Sequence, residues 1–98
     1  MDARLIFNEE SPAGDTAVAR IVIWELPRKL PGSDHSYKYS LALIDGRTNI
    51  FRYDNEAGKG DHRHVGRREF PYWFVSIDQL LEDFWKDVDE WQKSKRKS

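Results

Sequence analysis

Residues 37–54 read YKYSLALIDGRTNIFRYD, and the fold turns on how this stretch is read. Tyr37, Tyr39, Leu41 and Leu43 recur at every second position, the period of a strand with one buried face. Asp45-Gly46 follows, a pair suited to the positive φ angles of a type I′ hairpin turn. RTNIFRYD (47–54) then reads as the return strand. An antiparallel hairpin is therefore expected at the centre of the chain.

Upstream, TAVARIVIWEL (16–26) is rich in β-branched residues and apolar on both faces in its inner part, the pattern of a strand near the middle of a sheet. ARLIF (3–7) reads as a further short strand, and Pro12, Gly14 and Asp15 break the chain between the two. PRKLPGSDH (27–35) reads as a loop. Downstream, SIDQLLEDFWKDVDEWQK (76–93) places Ile77, Leu80, Leu81, Phe84, Trp85, Val88 and Trp91 at helical spacing. Ser76 with Gln79 makes a capping-box pattern, and Val75 is positioned to staple onto Leu80. Early acids and late bases suit the helix dipole. The expected fold is α+β: a small antiparallel β-meander of 3–5 strands with a C-terminal amphipathic helix packed on one face. One domain spans 1–98, with strands over about 3–54, a charged Gly/His loop over 54–69, the helix over about 76–93 and a frayed basic tail over 94–98.

Composition narrows the function classes. Thirteen aromatics supply large burial per residue in a chain of 98 residues that has little stability to spare. There is no cysteine, which excludes disulfides and thiolate metal sites. No apolar run approaches the roughly 18 residues of a membrane helix, and MDARLIFNEE lacks a secretory pattern, so a cytoplasmic protein without a membrane partner is expected. The net charge of −1 conceals an uneven layout. Arg52, Lys59, Arg63, Arg67 and Arg68 outnumber Asp54, Glu56 and Asp61, whereas Asp78 to Glu90 is acidic except for Lys86. A positive loop beside a negative helix suits two different partners. Ordinary surface patterning is the plainer reading, above all for the basic tail.

The chemistry concentrates in YDNEAGKGDHRHVGRREF (53–70). Gly58 and Gly60 flank Lys59 and permit close approach of a ligand to the backbone, although turn formation explains them equally well. The spacing is not that of a P-loop. His62 and His64 lie two residues apart, so in an extended segment they point the same way, about 6–7 Å apart. Such a pair can divide general-base and general-acid work, as in RNA cleavage where a 2′-hydroxyl is deprotonated and a 5′-oxygen leaves. Arg52, Lys59 and Arg63 would then steady the phosphate charge, though strict alternation points Arg63 away. A chelating pair completed by Asp54 or Asp61 is an alternative, and nothing in the sequence brings His35 near. On residue chemistry alone, solvated surface histidines come first, acid–base catalysis second and a metal third. Asp54 and Asn55 read as turn residues, or functionally as an aspartate that orients a histidine beside Tyr53, a base-stacking or hydrogen-bonding group. Phe70, Tyr72, Trp73 and Phe74 read as core.

FRYDNEAGKGDHRHV (51–65) resembles the central signature of the TumE-type family of bacterial toxins: an RYDN strand end, then a Gly- and His-rich loop closing on an H-R-H pair. The residues that carry it are Arg52, Tyr53, Asp54, Asn55, Gly58, Gly60, His62, Arg63 and His64. The resemblance implies a toxin component paired with a helix-turn-helix antitoxin, and ribonuclease activity as a further implication. On that basis His62, His64 and Asp54 are the catalytic candidates. Arg52, Lys59, Arg63, Arg67 and Tyr53 are the candidates for phosphate or RNA contact, with no metal and no cofactor. The alternative is a non-enzymatic module that binds nucleic acid or protein through the same loop. Exposed sheet edges also raise pairing with a second copy.

Overall fold

A computed structural model describes residues 2–96. Six strands precede one helix: β1 (Arg4–Pro12), β2 (Ala17–Glu25), β3 (Tyr37–Asp45), β4 (Thr48–Glu56), β5 (Gly60–Val65), β6 (Arg68–Pro71) and α1 (Ile77–Arg96). The strands form one antiparallel sheet in the order β1-β2-β3-β4-β5-β6, an uninterrupted meander. The α+β architecture is the expected one, with a sixth strand beyond the expected range. The surplus comes from residues 54–69, expected as a loop, which instead complete β4 and fold into the β5–β6 hairpin.

The central hairpin follows the pattern of its residues, with one change at the turn. Asp45 is still in the ladder, opposite Thr48, so Gly46 and Arg47 are the two turn residues. Only Gly46 has positive φ, at 62°, which is the type II′ pattern rather than I′. β2 lies second from the edge, not mid-sheet. One of its faces is buried (Ala17, Ala19, Ile21, Ile23), and the other carries half-buried Val18 and Val22 beside exposed Arg20 and Trp24.

All of the helix-side burial follows the two-residue period. Ala19, Ile21 and Ile23 of β2, Tyr39, Leu41 and Leu43 of β3, and Phe51 and Tyr53 of β4 meet Leu80, Phe84 and Val88 of α1. Each large apolar side chain removed from water contributes about 1.5–3 kcal/mol. Phe84 sits edge-on to Phe51, centroids 5.7 Å apart, a favoured aromatic geometry. Ser76 caps α1 by accepting a 3.0 Å hydrogen bond from the Gln79 amide. The reciprocal half of the capping box is missing, because the Gln79 side chain donates to Asp83 instead. Val75 remains 73% exposed, so it does not act as a staple. The helix runs through Arg96, past its expected end; Lys97 and Ser98 of the expected frayed tail lie outside the described residues.

Of the aromatic run that begins in β6, Tyr72 and Phe74 pack against the core as expected, but Trp73 is 79% and Phe70 40% exposed. Both sheet edges are blunted. β1 carries a bulge between Leu5 and Phe7 and ends at Pro12, while β6 is four residues long and ends at Pro71. These features work against edge-to-edge pairing with a second copy. No described helix is long and apolar enough to cross a membrane.

Candidate functional site

Because α1 covers one face of the sheet, the alternation along β4 and β5 sorts the signature residues between two surroundings. Tyr53, Asn55, Asp61 and Arg63 point toward the helix side; Arg52, Asp54, His62 and His64 point to the uncovered face. The register makes Arg52 the cross-strand partner of His64, and Asp54 that of His62. Side chains directly opposite one another in an antiparallel pair are close enough to interact.

On the uncovered face Asp54 links two of these groups. His64 Nε2 lies 3.0 Å from Asp54 Oδ1, and Arg52 Nε lies 2.9 Å from Asp54 Oδ2. The Arg52 contact lacks hydrogen-bond alignment and is an ion pair only. A carboxylate against Nε2 selects the tautomer that carries its proton there, which leaves Nδ1 of neutral His64 as an acceptor. The His62 and His64 rings stand 6.3 Å apart, so each can reach a different oxygen of one phosphate. Glu69 Oε1 of β6 is 3.6 Å from His62 Nε2. Both histidines and Asp54 are partly exposed, with 21%, 29% and 24% side-chain accessibility. A depression of about 190 Å³ lined by Asn49, Arg52, His64 and Gly66 opens beside them. A second, of about 200 Å³, is lined by Val22, Trp24, Lys38, Tyr39, Ser40 and Asp54.

Two of the expected phosphate contacts lie elsewhere. Arg63 Nε donates to Asp87 of α1 at 2.9 Å and to the Tyr53 hydroxyl at 3.1 Å. Burial lowers the Arg63 pKa, and the Asp87 carboxylate and the Tyr53 hydroxyl together more than offset it, so the net shift is upward. Tyr53 is buried and donates to Asp87 at 2.5 Å; burial first, then that bond, raises its pKa. Both therefore pin β4 and β5 to the helix. Lys59 is exposed at the β4–β5 turn and Arg67 at the β5–β6 turn, so they bracket the strand that carries the histidines.

Asp61 is the carboxylate that cannot join the pair. It accepts hydrogen bonds from His35 Nε2 at 2.7 Å and from the Tyr39 hydroxyl at 2.6 Å, on the helix side. His35 Nδ1 accepts from the Tyr37 amide at 3.1 Å, and its ring stacks on Phe74 with centroids 3.9 Å apart. This histidine, isolated in the sequence, thus ties the 27–35 loop to the sheet.

Asn55 is also structural. It is 1% exposed, and β3–β4 backbone pairing stops one residue before it, at Ser40 opposite Asp54. Its side chain continues the ladder, accepting from the Tyr39 amide at 3.0 Å and donating to the Tyr37 carbonyl at 2.6 Å. The residues that sequence reasoning missed are Glu69 on β6 and Arg20 and Trp24 on β2. The alternation of VARIVIWE could have placed the last two on the uncovered face with the histidines.

An open antiparallel sheet with a helix on one face and a paired His/Asp/Arg cluster on the other defines a small α+β protein whose polar site lies on the sheet surface. A family model described as Toxin TumE matches residues 2–92. The chain belongs to the TumE family and is a toxin component, a class that acts together with an antitoxin. No curated protein and no solved structure matches it.

Proposed function

We propose that this toxin is a ribonuclease that uses the RNA's own 2′-hydroxyl as nucleophile, with His64 as base and His62 as acid. The observation that carries the proposal is the Asp54-held His64, 6.3 Å from His62 on the uncovered face. His64 Nδ1 takes the 2′-hydroxyl proton as the 2′-oxygen attacks phosphorus. The bond to the 5′-oxygen breaks, and protonated His62 supplies that oxygen with a proton. The products are a 2′,3′-cyclic phosphate and a free 5′-hydroxyl, so no metal or enzyme nucleophile is required. Asp54 is a positioning residue, Arg52 meets the charge of the reacting phosphate, and Lys59 and Arg67 meet flanking phosphates. On this reading the protein acts in the cytoplasm, on cellular RNA.

The test is cleavage of a labelled RNA oligomer by purified protein. His62→Ala or His64→Ala should each slow cleavage about 10²–10⁴-fold, and Asp54→Asn roughly tenfold or more with the fold intact. RNA bearing 2′-O-methyl groups should stay whole, and chelator should have no effect. Undiminished cleavage by the double variant, or cleavage of 2′-O-methyl RNA, would overturn the mechanism and leave a binding module.

The antitoxin fits the same reading as a helix-turn-helix protein with a basic surface. The outer side of α1 presents exposed Asp78, Glu82, Asp89 and Glu90 to receive it. Reversing Glu82 and Glu90 to Lys should slow association and flatten its salt dependence; unchanged rates would place the contact elsewhere.

A further inference from the structure

The uncovered face holds more than the histidine cluster. One cross-strand row runs Arg20, Ala42, Arg52, His64, and the next runs Val22, Ser40, Asp54, His62. In the row beyond, Trp24 stands opposite Lys38. β3 therefore contributes the small residues Ser40 and Ala42, while β2 and β4 on either side contribute Arg20, Trp24, Arg52 and Asp54. Large side chains flanking small ones form a trough along β3, its walls roughly 10 Å apart by strand spacing. The depression of about 200 Å³ lined by Trp24, Ser40 and Asp54 lies within it.

Two residues of the β2 wall stand outside the core and its network of polar contacts. Arg20 is exposed and makes no ion pair or side-chain hydrogen bond among the described residues, although Glu10 is its neighbour on β1. Trp24 is 37% exposed and stands outside the core cluster. An unpaired guanidinium and an open indole on one strand, facing a histidine pair across a groove of small side chains, are the parts of a single-stranded nucleic-acid site: a cation for phosphate and a platform for a base.

We propose that this trough is the track for single-stranded RNA, with Trp24 stacking a base and Arg20 and Arg52 holding backbone phosphates. The proposal rests on the ribonuclease reading for the direction of the strand, not for the binding itself. Trp24 lies two strands over and two residues along from Asp54, roughly 12 Å away. It is too far to touch the reacting phosphate and well placed for the base of a neighbouring nucleotide. Bases held within a duplex cannot lie flat on an indole at a sheet surface, so the site selects single strands.

Binding is measured on the His62→Ala/His64→Ala protein, which leaves the RNA whole, by anisotropy of fluorescein-labelled octauridylate and octaadenylate over a salt series. In that background Trp24→Ala should weaken binding roughly fivefold or more, and Trp24→Phe should restore most of the loss. Arg20→Ala should reduce the slope of log affinity against log salt by about 0.7. Lys86→Ala, on the helix, should change neither, and thermal melts confirm that each variant is folded. The trough is overturned by absence of binding, by unchanged affinity and slope in both β2 variants, or by equal affinity for a duplex of the same length. If the β2 variants lose binding while the native protein cleaves no RNA, the trough stands and the ribonuclease reading falls. If cleavage needs the histidines but the β2 variants bind as before, the trough falls and the ribonuclease reading stands.

Discussion

At the scale of single residues, alternation decides which signature side chains can act together. His62 and His64 share a face because they are two apart in an extended strand, and that much was legible from the sequence. Arg63 between them points to the helix for the same reason, and its guanidinium is taken up by Asp87 and Tyr53. Asn55 was not legible as a core residue. A polar side chain at the end of RYDN looks like a turn former, and only its place beyond the last β3–β4 backbone pair makes it a substitute for main-chain hydrogen bonds. Asn55→Ala leaves the Tyr39 amide and the Tyr37 carbonyl without their partner. The expected cost is about 2–4 kcal/mol, read as a lower urea midpoint with an unchanged slope. Arg52→Ala on the exposed face should by contrast move the midpoint little.

Secondary-structure elements differ in how openly the sequence announces them. β3 and α1 were legible from hydrophobic period, β2 from its β-branched apolar run, and β4 as the return strand after the Asp45-Gly46 turn. β5 and β6 were not, because GDHRHV and REFP carry no apolar alternation; every residue of β5 is only half-buried, and β6 is exposed throughout. Their strand form is imposed by the ladder with β4 and by turns at glycines with positive φ, 81° at Gly58 and 59° at Gly66. The Gly58 amide also donates to the Pro31 carbonyl at 2.7 Å, which docks this turn on the 27–35 loop. Gly58→Ala meets no atom within 4 Å but must hold a left-handed φ. It should destabilise by about 1 kcal/mol, and hydrogen exchange should show the loss first in the β4–β5 hairpin. At the helix, Ser76→Ala should cost about 1 kcal/mol through the lost cap, whereas Val75→Ala should cost far less because Val75 is exposed.

At the scale of the whole molecule the sheet divides labour between its two faces. The helix side is held by three buried or half-buried tyrosines that donate to aspartates: Tyr39 to Asp61, Tyr53 to Asp87 and Tyr72 to Asp83. Burial, then the neighbouring carboxylate, raises the pKa of all three above the ordinary value near 10. In the unfolded chain these tyrosines ionise near pH 10, while in the folded chain they keep their protons. Their contribution is thus fully present below about pH 10 and is lost as pH rises beyond it. Urea midpoints taken from pH 8 to 11 should fall above pH 10, and Tyr39→Phe should flatten that fall; a flat native profile would contradict the pairing. The uncovered face, free of this role, carries the histidines, Asp54 and Arg52 of the central proposal. Its most direct test is inducible expression of the native chain and the His62→Ala/His64→Ala variant in bacteria, with growth and total RNA followed together. Arrest with RNA fragments from the native chain alone, at equal levels of folded protein, is the predicted result. Arrest by both chains would contradict it.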